Sequence, residues 1–300
     1  MTKKFGPLII SIATLVCGSL PAQNRTGSVD LFMGVDFNYR DIWLNNRVYD
    51  VLVNLTPGIR WNMGHRWQTA AQVYVPIVNQ YGDRYKNVRL NMAVLSRQMA
   101  VGKHWKMKIS GGLFGAERYG LDWKNMFIIS PWLAVTAQAG LTGYCSMAAG
   151  WQASHTMRRF TAQIGPEIYL HPWNTGISVR AGRYIYGDYG ITGECFRHFR
   201  HASIGCYALY SNKGKEDAGF KIIVMLPPYK RSDHKVRVRP ASNFRLTYSI
   251  EADNYAASSY STDPEQNERE GWFDRDLLPW GPETMPSDYS IKERKEEERE

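Results

Sequence analysis

The sequence predicts an all-β protein: an antiparallel transmembrane β-barrel of about 12 strands with a disordered, charged C-terminal tail. Three observations predict it. Residues 29–251 form a series of segments in which apolar and polar side chains alternate, parted by Gly, Asn and Asp. No continuous apolar helix follows the N-terminal leader, and a mean hydropathy of −0.41 excludes a bundle of membrane helices. The aromatic share is 13%, with 18 Tyr and 10 Trp, and many rings stand near segment ends, where an interfacial girdle would lie.

The leader comes first. Met1-Thr2-Lys3-Lys4 is a positive n-region, residues 5–18 are an apolar stretch too short to span a bilayer, and Leu20-Pro21-Ala22-Gln23 places small residues near a cleavage point. Residues 1–23 are read as a signal peptide, so the mature chain is exported. A lipoprotein reading, with Cys17 as the acylated first residue, needs a small residue where Val16 stands. The Ala-Gln-Asn junction resembles signal peptides of the Bacteroidetes.

The strands follow in order. Residues 30–40 set Leu31, Met33, Val35, Phe37 and Tyr39 on one face, against Asp30, Gly34, Asp36, Asn38 and Arg40. Tyr49, Val51, Val53 and Leu55 oppose Asp50, Asn54 and Thr56, and then Ile59, Trp61 and Met63 oppose Arg60 and Asn62. Gly64-His65 is a turn, and Pro76 puts the end of the next segment at a strand terminus or bulge. Val88, Leu90, Met92 and Val94 oppose Arg89 and Asn91. Met107, Ile109 and Leu113 oppose Lys106, Lys108 and Ser110. Three further segments alternate in the same way around Leu133–Leu141, Phe160–Leu170 and Ile177–Ile185. The series closes with 203–210, 220–226, 236–239 and 244–250. Such segments have the ~9–11 residues that a tilted strand needs to cross a bilayer.

Charge divides the chain at the end of this series. Residues 251–300 hold 15 acids and 6 bases, a net −9; the whole chain is +9, so residues 1–250 carry +18. A basic exported body suits anionic lipopolysaccharide or an acidic polysaccharide better than nucleic acid, which such a protein rarely meets; its cations equally suit loops and a polar lumen. Residues 252–300 are read as a disordered acidic tail, because they cannot bury enough apolar surface to order themselves. Trp272, Phe273, Leu277, Leu278 and Trp280 form one apolar island for docking on the body or a partner.

No reaction is written in the sequence. After leader removal Cys145, Cys195 and Cys206 remain; Cys195 and Cys206 fall near adjacent strands, either as a cross-hairpin pair or as packed thiols. There is no Cys-x-x-Cys, His-x-x-x-His or Gly-x-Ser-x-Gly, and no glycine-rich phosphate loop. Ser154-His155 is an adjacency without a third partner, and His198 and His201 sit in a basic stretch that opposes a metal ion. No catalytic residue, metal ligand or cofactor site is predicted. Arg183, Asp188, Glu194, Arg197 and Arg200 are charges in or near strands. They are expected to face the lumen or a rim, since a charge facing lipid costs about 2–4 kcal/mol at midplane. There they serve as structural pairs or as a ligand site.

One stretch carries a family resemblance. Gly182-Arg183-Tyr184, the turn Gly187-Asp188-Tyr189-Gly190, Arg197-x-Phe199 and Ile204-Gly205-x-Tyr207 resemble the C-terminal barrel part of the YjbH-type outer-membrane proteins of exopolysaccharide and capsule secretion. Gly111–Gly115 with Arg118–Trp123, Ala139–Gly143 and the strand 222–228 are similar too, so the resemblance covers roughly 111–248. It implies a barrel in the bacterial outer membrane that assists polysaccharide export or envelope assembly alongside other export proteins. It brings no catalytic residues. Two other function classes fit the sequence: an outer-membrane enzyme acting on lipid or lipopolysaccharide, and a secreted soluble glycan-binding β-protein.

Overall fold

The computed structural model describes residues 27–44, 47–102, 104–130, 132–147, 152–199, 202–213, 216–225, 235–241, 243–250 and 259–265. The leader, the apolar island of the tail and Arg200 lie outside the described residues. The alternating segments become β1 (Ser28–Leu44), β2 (Arg47–Gly64), β3 (Trp67–Asn79), β4 (Arg89–Val101), β5 (Trp105–Phe114), β6 (Arg118–Ser130), β7 (Leu133–Ser146), β8 (Gln152–Leu170), β9 (Thr175–Arg183), β10 (Tyr189–His198), β11 (Ala202–Ser211), β12 (Asp217–Met225), β13 (Val236–Pro240) and β14 (Asn243–Ser249).

From β1 to β12 each strand is hydrogen-bonded to the next in antiparallel fashion. β14 pairs antiparallel with β12 on one side and parallel with β1 on the other. β13 lies parallel to the first half of β1. β13 and β14 are therefore two parts of one last strand, and the wall is a closed barrel of 13 strands. The strand count is close to the 12 expected, whereas the expected antiparallel wall is mixed, being parallel at this seam. In an up-and-down meander with an odd number of strands, the first and last run the same way and can only meet in parallel. The break between β13 and β14 has a local cause. Pro240 offers no N–H, Met33 O accepts the Ala241 N–H at 2.8 Å instead, and the offset to β1 grows from 207 (Val29 to Val236) to 209 (Asp36 to Arg245).

Turns at the rim where β1 begins (the N-terminal rim) are short apart from 226–235, whereas connections at the far rim reach nine residues at 80–88. Closure through β14 gives β1 to β12 a partner on both sides, and among the described residues β13 alone is paired on one side only, with β1.

Polarity is inverted relative to an ordinary core. Ile109, Leu121, Leu141, Ile164, Ile191 and Phe220 project outward from successive parts of the wall and are exposed. Asn54, Lys108, Asp122, Lys124, Glu167, Arg180 and Lys221 project inward and are buried. Trp61, Trp67, Trp132 and Trp173 surround the N-terminal rim on the outside; Tyr49, Tyr186, Tyr189 and Tyr210 surround the far rim. The rings of Tyr49, Tyr39, Tyr248 and Phe220 stack in sequence across β2, β1, β14 and β12, with centroids 5.4, 5.6 and 4.9 Å apart, and cover the parallel seam.

Tyr184 and Tyr207 stand near segment ends, where the outer girdle is expected, but point inward. Each lays its ring over a glycine of the neighbouring strand, Gly190 and Gly219, where a Cβ would collide with it. Phe32 over Gly58 and Phe196 over Gly205 repeat the device. A second departure lies in β4. The register with β3 slips between Gln72 and Val73, which reverses the phase, so Met92 and Val94 face the lumen and meet Phe114 there.

Candidate functional site

The lumen holds the chemistry. Its floor is a set of charges delivered by strand alternation: Arg60 from β2, Lys108 from β5, Asp122 and Lys124 from β6, Arg237 and Arg239 from β13, and Asp30 from β1. Residues 259–265 lie among them. This short piece of the tail runs down the bore and touches inward-facing side chains of β2, β5, β6, β8 and β13. The reading of 252–300 as disordered does not hold for these seven residues, because a partly apolar, partly basic lumen supplies what the tail alone lacks.

The order of contacts gives the direction of travel. Ser261 O accepts the Gly115 N–H at 3.0 Å, in the far-rim hairpin between β5 and β6. Tyr260 stacks on Phe114 with centroids 5.4 Å apart and planes at 10°, packed beside Met92 and Val94. Its hydroxyl donates to Asp122 Oδ1 at 2.7 Å, and Gln138 donates to the same oxygen at 2.7 Å. Burial, and then the Asp122 charge, push the Tyr260 hydroxyl well up, so it stays neutral and a donor. Lys124 donates to Thr262 Oγ1 at 3.1 Å. Arg60 donates to Asp263 Oδ1 at 2.5 Å, with Lys108 Nζ 3.7 Å from the other oxygen. Glu265 ends the run between Arg60, 3.3 Å away, and Arg239. Burial alone would raise the Asp263 carboxyl, but Arg60 and Lys108 outweigh it and hold the group at about 2.

The segment's own sequence shapes it for this place. Asp263 Oδ1 accepts the Glu265 N–H at 3.0 Å and Ser261 Oγ accepts the Asp263 N–H at 3.3 Å. These local bonds, with φ fixed at Pro264, present both carboxylates to the wall. Beside the segment a cavity of about 50 Å³ remains, lined by Asp36, Thr56, Gln72, Tyr74, Arg245 and Glu265.

Of the five charges singled out in the sequence, the four that are described do not converge. Glu194 faces the lumen, where Arg180 donates to it at 2.5 Å, Ser178 at 3.2 Å, and Lys221 Nζ stands 3.5 Å away. Asp188 is buried in the far-rim turn and accepts from Ser211 Oγ at 2.6 Å. Arg183 lies at the same rim, its guanidinium against Gly187. Arg197 projects outward near the N-terminal rim, its guanidinium 5.6 Å from the Phe199 ring centroid. Cys195 and Cys206 are free thiols in register with each other on the outer face.

His198 Nδ1 and Ser203 Oγ are 2.8 Å apart, a pairing that spacing in the sequence does not suggest. Ser203 is 0% exposed, so no acyl group reaches its hydroxyl in this conformation, and the imidazole stacks on Tyr169 at 6.4 Å. Among the described residues no group of three or more His, Cys, Asp or Glu side chains is placed to hold a metal ion.

No family model matches the sequence, and a comparison with curated proteins finds no match. The lumen therefore has to be interpreted from its own geometry. The alternation did place Arg60 and Lys108 on the polar face of their strands. The one signal for the docked segment was the charge contrast between body and tail.

Proposed function

We propose that this chain is an outer-membrane β-barrel protein that assists export of exopolysaccharide or capsule, or assembly of the envelope, without catalysing a reaction. The observation that carries the reading is the inverted polarity: aliphatic and aromatic side chains outside, charged side chains inside, and ring girdles at both rims. In water such an exterior would drive aggregation. In a bilayer it matches the hydrocarbon, while a closed sheet satisfies every backbone group internally. The leader supports delivery to the envelope, and the resemblance over roughly 111–248 supports the export role.

Lipopolysaccharide and outer-membrane lipid are the partners of the outer face, acidic polysaccharide that of the lumen. Fractionation of cells tests the location: the protein is expected in the detergent-extracted outer membrane and to migrate faster on a gel before boiling than after. Recovery from the soluble periplasm overturns the reading. Deleting the gene tests the role: a thinner surface polysaccharide coat is expected, and an unchanged coat removes the export function.

A further inference from the structure

Four cationic side chains, Arg60, Lys108, Lys124 and Arg239, contact residues 262–265, Arg237 joins Arg239 on Asp30, and Arg245 lines the cavity beside Glu265; among the described residues the wall carboxylates nearby are only Asp30, Asp36 and Asp122, so cations are in excess. The chain's own Asp263 and Glu265 offset that excess. They do so from one short backbone, two residues apart, and three positions before Asp263 the flat ring of Tyr260 covers Phe114. Two carboxylates and a flat face strung along a linear chain are also the features of a carboxylated polysaccharide. Its acid groups meet guanidinium and ammonium donors, and the C–H face of its sugar rings meets an aromatic platform. An acidic peptide shares the charges but has no repeating flat face.

We propose that residues 259–265 occupy, within the chain itself, a lumen track built to bind a carboxylated polysaccharide, and that such a polymer displaces them. This rests on the export reading above and names the substrate class and its regulation: an empty track is covered by the tail, and a loaded one expels it. Arg60 and Arg239 bind the carboxylates, Lys108 adds charge, and Phe114 takes the ring vacated by Tyr260.

The test uses full-length protein in detergent or liposomes, with polygalacturonate as the probe and neutral dextran of equal length as the control. Excess polygalacturonate added to the unaltered protein is expected to speed hydrogen exchange of residues 259–265 at least tenfold, with dextran inert. In the D263N/E265Q variant, whose tail competes less, polygalacturonate binding is expected to tighten at least tenfold; adding R239Q should abolish that gain. Each variant is first checked for heat-modifiable migration. If it has lost the fold, the exchange experiment on the unaltered protein decides alone. Exchange indifferent to polygalacturonate overturns the inference, and so does an equal response to dextran. An equal response to polyglutamate shows a plain carboxylate site and overturns the polysaccharide assignment. A membrane-inserted protein with an indifferent tail sinks this inference and leaves the barrel reading standing, whereas a water-soluble protein sinks both.

Discussion

Arg239 holds Glu265 through two parallel hydrogen bonds, Nη1 to Oε1 and Nη2 to Oε2, each 2.7 Å long. A planar fork meets a planar carboxylate, and the Glu265 side chain is only 3% exposed, so its carboxylate is shielded from solvent.

This geometry makes a sharp prediction for a conservative change. Lysine keeps the charge of Arg239 but cannot form the fork. Arg239→Lys is expected to weaken docking of the segment by about 1.5–3 kcal/mol, the range for losing a hydrogen bond to a charged group. Hydrogen exchange of residues 259–265 should then accelerate roughly tenfold to a hundredfold, while exchange of the strands stays the same. An unchanged rate would show that charge alone holds the segment.

Acid should release the segment before it unfolds the wall. The Asp263 carboxyl is held at about 2, below its ordinary 3.8. A group depressed on docking contributes stability above its free value, and loses it as pH falls from about 4 towards 2. Limited proteolysis across that interval is expected to expose the tail progressively. Asp263→Asn should remove most of the pH dependence; a profile identical to that of the unaltered protein counts against Asp263 as the sensor.

Gly140 lies opposite the Tyr260 hydroxyl, and a Cβ there would overlap it. Gly140→Ala is therefore expected to push Tyr260 off Phe114 and to loosen docking by about 1–3 kcal/mol, as small-to-large changes at packed sites do. Tyr260→Ala removes the obstructing ring, so the double variant should be hardly looser than Tyr260→Ala alone. Additive effects on exchange of residues 261–265 would mean that the two positions do not meet.

Cys195 and Cys206 face outward in the middle of β10 and β11. In liposomes both thiols are expected to react with a lipid-soluble maleimide and to resist a charged thiol reagent. Rapid modification by the charged reagent would place this face in water.

Much of the wall was legible because period-two alternation survives in a single chain: that Leu31, Met33 and Val35 share one face and Asp30 takes the other follows directly from it. Which side met solvent was not legible, since both faces carry rings: Tyr184 and Tyr207 point in because glycines across the sheet make room for them. The phase of β4 was hidden by a slipped register that leaves no mark in composition. The lumen site was illegible for a different reason. Arg60 and Glu265 are distant in sequence, and each alone looks like a solvated charge; only closure of the wall around the tail makes them neighbours. Of the candidate charges in 183–197, local motif marks a turn for Arg183 and Asp188 and the outer face near the other rim for Arg197, and only Glu194 lies in the lumen, away from residues 259–265.

The parallel meeting of β1 with the last strand sets conditions on how this molecule is made. Until residue 249 has been synthesised, β1 has one raw side, and a truncated product offers sticky edges to any neighbouring chain. Because the piece that occupies the bore is made later still, it must enter a cylinder that is already sealed or be caught while the last gap is open. The final stretch of synthesis thus both locks the container and fills it, so a nascent chain lacking it is unfinished in two ways at once.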